Sequence, residues 1–251
     1  NIFYPSGLIS SIQEKQITSY GKNVKAYSVD GNFDDCQSIV KQLLRDKIIL
    51  SESFIFPANS INIIRLIPQV SYYFWAYAQL NINKSVNFCV PSGNLGNITA
   101  GVIAYRMGLP VNKFIVATNI NDSFGKYLNS GIIPDVKAIP SLSCAMDISI
   151  PNNLIRLKYI FGDHIHMKSK INSYSITDDE TLHTISTVHK KYNYILDPHT
   201  SVGYTAIDKY NSKTMQKSDY PTILLSTAHP AKFPEVLKKV QLYPTVPNQL
   251  K

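Results

Sequence analysis

Apolar residues along this chain come in two rhythms: short runs of strand length closed off by Gly, Pro or Asn, and longer stretches at helical spacing. Runs at Ile2-Phe3-Tyr4-Pro5, over 24–29, at Phe88-Cys89-Val90, over 114–117 and within Tyr220-Pro221-Thr222-Ile223-Leu224-Leu225 read as strands, the last two as buried ones. Helical patterns stand between them. Ser11 with Glu14 fits a capping box opening a helix that Gly21 closes, and Asp30-Gly31-Asn32 turns into a second helix over 34–44. Further helices are expected over about 98–107, where Gly108-Leu109-Pro110 stops the pattern, and over 121–131 and 154–161. Another runs from the capping box of Thr177 and Glu180 toward Tyr192. Strands alternating with helices through short turns predict an α/β fold of parallel sheets joined by right-handed crossovers. Residues 51–57 read as a crossing between two lobes.

The most apolar span, 61–80, is broken by Arg65, Pro68, Gln69 and Gln79, which predicts a buried helix and not a membrane span. Asn59 or Ser60 caps that helix, and Asn62 and Arg65, three apart, share its first-turn face. They can aim at an anion near the N-terminus; a capped helix with one solvated Arg fits the same spacing. Pro68 falls in the expected helix interior, at a cost of ~3 kcal/mol, and predicts a kink between Ile64 and Pro68.

Composition changes this picture little. The chain has 251 residues, 44% of them hydrophobic, enough to fill a real core. Its formal charge is +8, yet the lysines are scattered, with pairs only at Lys190-Lys191 and Lys238-Lys239. No basic stripe interleaved with aromatics forms, so no nucleic-acid partner is expected. Cys36, Cys89 and Cys144 lie far apart without C-x-x-C spacing, which predicts a reducing, cytoplasmic compartment and neither disulfides nor a zinc site. No signal peptide is expected. His164 and His166 read as solvated loop residues, and His199, near a helix start, as structural.

Chemistry concentrates in Val90-Pro91-Ser92-Gly93-Asn94-Leu95-Gly96-Asn97, where a strand breaks into a Gly/Asn-rich turn that opens a helix. Gly93 and Gly96 can take positive φ or let a ligand reach bare backbone, while Asn94 and Asn97 tolerate left-handed geometry. Successive N–H groups backed by a helix N-terminus suit a phosphate dianion. By spacing alone a ligand-free turn fits as well. The stretch is neither a P-loop nor a dinucleotide G-x-G-x-x-G motif.

These residues resemble the V-P-S-G-N-F-G-N phosphate cup of the threonine synthase family, with Leu95 where that family has Phe. The likeness continues through the segment Tyr4-Pro5-Ser6-Gly7 to Gln16, where Leu8 replaces a usual Lys, and through Gly31-Asn32-Phe33-Asp34-Asp35-Cys36-Gln37. It extends to Asn59-Ser60-Ile61-Asn62 with Arg65 and Gln69, to the segment from Ser143 through Ala145-Met146-Asp147-Ile148 to Asn152-Asn153, to Asp197-Pro198-His199-Thr200-Ser201-Val202-Gly203 and to Ser226-Thr227-Ala228-His229-Pro230-Ala231-Lys232-Phe233. The resemblance implies pyridoxal 5'-phosphate (PLP) fold type II, tryptophan synthase β-like, with open twisted mostly parallel sheets and helices on both faces. It implies that 1–54 is the remainder of a smaller α/β lobe and 55–251 a large PLP-binding lobe.

It also implies that Gly93, Asn94, Leu95, Gly96 and Asn97 hold the PLP phosphate, that Thr227 bonds the pyridine nitrogen, and that Asn59, Ser60, Asn62 and Arg65 face the substrate. The implied reaction converts O-phospho-L-homoserine and water to L-threonine and phosphate. The family's Schiff-base lysine lies in an H-G-P-T-x-A-F-K-D segment upstream of the first strand, and this sequence contains no such segment. No catalytic residue is therefore expected here, and the chain reads as the carboxyl-terminal portion of such an enzyme, inactive alone. A non-catalytic remnant that binds ligand or partner chains, or another fold-type-II enzyme such as a serine/threonine deaminase, stays open. Monomer and homodimer are equally open.

Overall fold

A computed structural model describes residues 1–21, 23–52, 57–213 and 219–248. Strand β1 (Ile2–Pro5) leads through α1 (Ser11–Thr18) to β2 (Ala26–Val29), which pairs with β1 in parallel, Ile2 opposite Ala26. The capping box sits one residue earlier than the sequence suggests: Ser10 Oγ accepts from Gln13 N at 3.2 Å, and Gln13 Oε1 accepts from Ser10 N at 3.0 Å. Glu14 is engaged elsewhere, accepting the Tyr4 hydroxyl at 3.0 Å. Asn32 caps α2 (Phe33–Leu43), and α3 (Lys47–Glu52) follows. The expected lobe crossing falls largely on 53–56, outside the described residues.

The stretch after 57 departs from expectation. Asn62 caps a 3₁₀ turn at Ile63–Arg65, and only then does α4 (Ile67–Gln79) begin. Pro68 thus occupies the helix's first turn, where its missing N–H would have had no intrahelical acceptor. The kink and its cost do not arise. Nor is α4 a fully buried helix: Val70 and Tyr73 are buried, whereas Tyr72 and Trp75 are 58% and 68% exposed. Among the described residues no helix is long and apolar enough to cross a membrane.

The larger sheet takes strands β3 (Val86–Pro91), β4 (Val111–Thr118), β5 (Ile171–Ser175) and β6 (Thr222–Leu224) in the order β5-β4-β3-β6, all parallel. Helix α5 (Gly96–Arg106) links β3 to β4, and α6 (Ser123–Ser130), α7 (Leu154–Phe161) and α8 (His164–Lys170) lie between β4 and β5. Helices α9 (Asp178–Tyr192) and α10 (Pro198–Lys213) lead to β6, and α11 (Pro234–Lys238) follows it. Every residue of β3 is buried because helices cover both faces of the sheet. Phe88 and Val90 pack with Tyr73, Ile98 and Phe114 on one side, while Cys89, between them, meets Val202 and Ala206 of α10 on the other. Strand β6 is the exception to the expected burial: only three residues long, it is half-buried and, among the described residues, pairs with β3 alone. His164 and His166 sit on α8, not in a loop, and His166 bonds Asp163 at 2.9 Å. No group of residues suited to a metal is found among those described.

Tyr73 ties α4 to the start of α5. Its ring lies where a Cβ on Gly101 would come within 2.5 Å of Cε1, and its hydroxyl donates to Asn97 O at 2.6 Å. Burial pushes the phenol pKa up, so it remains a donor. Tyr73→Phe, which keeps the ring and loses this bond, is expected to lower unfolding free energy by about 1 kcal/mol in urea titration. Pro68→Ala is expected to cost about 0.4–1 kcal/mol through added freedom of the unfolded chain, where an interior proline would instead give stabilisation on replacement.

Candidate cofactor and anion site

Strand β3 runs on past Pro91, with Ser92 N donating to Ala117 O at 2.9 Å, and then turns sharply into α5 at Gly96, two residues earlier than the sequence suggests. The residue that takes left-handed geometry is Leu95, with φ 58°, and neither Gly93 nor Gly96 has positive φ. The glycines serve close approach instead. A Cβ on Gly93 would stand 2.7 Å from Met146 Cα, and one on Gly96 would stand 3.1 Å from Ser60 Cβ.

The asparagine amides are consumed in holding the turn. Asn94 Nδ2 donates to Ser60 Oγ at 2.9 Å, and its Oδ1 accepts from Asn152 N. Asn97 Nδ2 donates to Pro91 O at 2.7 Å, while its Oδ1 accepts from Ile98 N at 3.0 Å and from Ser92 Oγ. Main-chain N–H groups are left over. Among the described residues no acceptor is found for the N–H of Gly93, Asn94, Leu95, Gly96 or Asn97. A half-buried run of donors at a helix N-terminus, closed on one side by Met146 and on the other by Ser60, fits a phosphate group.

The wall at Met146 is fixed by a buried polar cluster. Asp147 accepts from Ser141 N at 2.9 Å, Ser141 Oγ at 2.7 Å, Asn119 Nδ2 at 2.7 Å and Asn121 Nδ2 at 3.1 Å. Burial raises its carboxyl above the ordinary range, and these donors oppose that shift.

The other expected residues divide. Arg65 and Thr227 line one cavity of about 790 Å³ together with Asn97 of the turn, and Ser226, Tyr72 and Trp75 complete much of its wall. The Arg65 guanidinium has no partner among the described residues, and Thr227 is exposed to the cavity. Ser60 touches the turn directly. Asn62 spends both ends of its amide on the fold, bonding Ile64 N and Pro57 O, each at 3.0 Å, and Asn59 spends its oxygen, which accepts from Ile61 N. They shape the turn that carries Ser60 and Arg65. His199 is buried, its ring 4.9 Å from Phe233, its Nδ1 3.2 Å from Asp197 Oδ1 and its Nε2 without a partner among the described residues.

Sequence reasoning gave Asn153 no role beyond its place in the likeness and passed over Arg156. Arg156 donates to Ser60 O at 3.0 Å, Ile61 O at 2.6 Å and Asn153 Oδ1. Their spacing of three at a helix start repeats that of Asn62 and Arg65 and was the available signal.

A family model described as pyridoxal-phosphate dependent enzyme matches residues 2–227, and the chain belongs to that family, whose cofactor is pyridoxal phosphate. Within it, the chain is similar to the threonine synthases of Escherichia coli, 40% identical over 95% of this chain and 55% of that protein, and of Saccharomyces cerevisiae, 37% identical over 94% and 54%. The crystal structure of the Escherichia coli enzyme matches with a TM-score of 0.90 at 38% identity, over 99% of this chain and 57% of that one. PLP-bound threonine synthase from Brucella melitensis matches with a TM-score of 0.85 at 35% identity, over 99% and 59%. Serine racemase from Dictyostelium discoideum, at 16% identity and a TM-score of 0.64, shares the fold, which is that of the fold-type-II enzymes. The chain spans about half the length of the curated relatives it matches.

Gly93→Ala forces its methyl against the Met146 backbone, so the wall or the turn must shift. Titration calorimetry is expected to show at least a tenfold loss of inorganic phosphate affinity, with the protein still folded by circular dichroism.

Proposed function

We propose that this chain is the carboxyl-terminal portion of a threonine synthase, which converts O-phospho-L-homoserine and water to L-threonine and phosphate. The observation that carries this reading is one cavity lined by Thr227, by Arg65, whose guanidinium has no partner among the described residues, and by Asn97, where the donor-rich turn reaches it. A PLP-dependent reaction on a phosphorylated substrate needs two anion sites. The N–H groups of Gly93, Asn94, Leu95, Gly96 and Asn97 would hold the cofactor phosphate, and Arg65 with Ser60 would meet the phosphate of the substrate. Thr227 would bond the pyridine nitrogen with a neutral hydroxyl. When bound, PLP supplies an electron sink for charge developing at the substrate's Cα. The chain's own residues bind and orient: the turn fixes one end of the cofactor, Thr227 the other, and the aromatic wall of Tyr72 and Trp75 limits water.

With this reading goes a division into the remainder of a smaller lobe, 1–54, and a large lobe, 55–251, in keeping with the separate two-stranded and four-stranded sheets. A cytoplasmic location belongs to it too, supported by the free thiols of Cys36, Cys89 and Cys144. No lysine is among the described residues lining the cavity, which favours as second reading a chain that binds the cofactor without turning over substrate.

The test is threonine formation from O-phospho-L-homoserine by the chain alone and by the chain joined to the upstream half of a relative. The chain alone is expected to be silent and the joined protein active, with Thr227→Ala lowering kcat about 2- to 10-fold, as for a lost neutral hydrogen bond of about 0.5–1.5 kcal/mol. Turnover by the chain alone would mean that one of its own lysines serves. A joined protein that binds PLP but forms no threonine would leave the second reading.

A further inference from the structure

The left-handed turn at Leu95 is held open from behind. Arg156, half-buried on α7, makes three bonds, and two of the three residues it holds, Ser60 and Asn153, bond Asn94. Two go to the carbonyls of Ser60 and Ile61, at 3.0 and 2.6 Å, and Ser60 Oγ in turn accepts the Asn94 amide at 2.9 Å. The third goes to Asn153 Oδ1. Arginine has only donors, so Asn153 must turn its oxygen toward Arg156 and its Nδ2 away. That Nδ2 donates to Asn94 O at 2.9 Å, joined by Asn153 N at 3.4 Å.

In a trans peptide the C=O and the following N–H point in opposite directions. The described residues contain no cis peptide, so drawing the Asn94 carbonyl back toward Asn153 aims the Leu95 N–H forward into the cup. We propose that Arg156, acting through Asn153, is the positioning residue of the anion site: it fixes the orientation of the Asn94–Leu95 peptide plane and thereby the donor array that receives phosphate. The pair touches no ligand. Lysine cannot replace Arg156, because a single ammonium group does not span three acceptors in a forked plane. This deepens the reading of residues 93–97 as the cofactor's phosphate cup and rests on it.

The probe is inorganic phosphate, with pyridoxal phosphate as a second ligand, titrated by calorimetry against the unaltered chain, Arg156→Ala, Arg156→Lys, Asn153→Asp and the control Arg106→Ala. Arg106 carries the same charge at the last turn of α5, away from the cup. Expected are a 10- to 100-fold loss of phosphate affinity in Arg156→Ala, a loss nearly as large in Arg156→Lys, no change in Arg106→Ala, and partial rescue of Arg156→Ala by added methylguanidinium. Asn153→Asp keeps an oxygen for Arg156 and sets a carboxylate oxygen against Asn94 O. It is expected to stay folded and lose at least tenfold; because Asn153 is fully buried and salt screens a charge there little, the uncharged Asn153→Leu is run beside it and is expected to lose as much. Should Arg156→Ala fail to fold, Asn153→Asp bears the same prediction. Native affinity in a folded Arg156→Ala or in Asn153→Asp would overturn the clamp while leaving the cup. Failure of the unaltered chain to bind either ligand would overturn the cup and the clamp together.

Discussion

Backbone N–H groups that have no acceptor are the constraint around which this molecule is arranged. A buried amide without a partner costs about 1–3 kcal/mol, so a chain left to itself closes such a turn on its own carbonyls. Here the turn does not close: Pro91 O accepts from Asn97 Nδ2, Asn94 O from Asn153 and Ala117 O from Ser92 N, and none of them accepts from the N–H groups of residues 93–97. What remains is a set of donors with no acceptor among the described residues, at the positive end of a helix.

The same logic spreads outward in shells of hydrogen bonds. Asn152 N supports the Asn94 side chain, and the Asn152 side chain reaches Gln37 of α2. Nearby, Ser149 Oγ donates to Asp34 Oδ2 at 2.5 Å. Residues 149–152 therefore touch both the smaller sheet's helix and the cup, so displacement of α2 is felt at Asn94 through two bonds. On the opposite side, Asp147 gathers Ser141, Asn119 and Asn121 at the carboxyl end of β4, where open α/β sheets place their ligands. The apolar core below, with Tyr73, Phe88 and Phe114 in mutual ring contact, gives these polar groups a rigid floor.

Exposure follows the cavity. Tyr72 and Trp75 on α4, together with Ile64 and Leu225, present apolar surface beside Asn97 and Thr227. Such a wall next to a donor-rich turn combines the two properties of a small-molecule site, a mostly apolar lining and a few aimed polar groups. The short, half-buried β6 delivers Ser226 and Thr227 to its rim, and Thr200 Oγ1, 3.2 Å from Ser226 Oγ, ties that rim to the buried Asp197 at the start of α10.

The alternation of strands and helices, the strand-turn-helix at 88–101 and the boundaries of α7 and α9 were legible because they depend on local properties: apolar period, capping side chains, Gly and Pro. The likeness in Val90 to Asn97 and in Ser226-Thr227 pointed to the two ends of the candidate site for the same reason, since a turn's chemistry is written in consecutive residues. What lay beyond the sequence was decided by partners far along the chain. Pro68 looked like a helix breaker until the 3₁₀ turn at Ile63–Arg65 placed it in a first turn. Left-handed geometry fell to Leu95 and not to a glycine, while the two glycines serve close approach, with Met146 Cα 2.7 Å from where a Cβ on Gly93 would lie and Ser60 Cβ 3.1 Å from one on Gly96. Asn59, Asn62, Asn94 and Asn97 looked like ligand amides, yet each spends its side chain on the fold. Whether an asparagine faces a ligand or a carbonyl depends on which acceptor tertiary packing brings within hydrogen-bond reach, and no pattern of neighbours in sequence carries that distance.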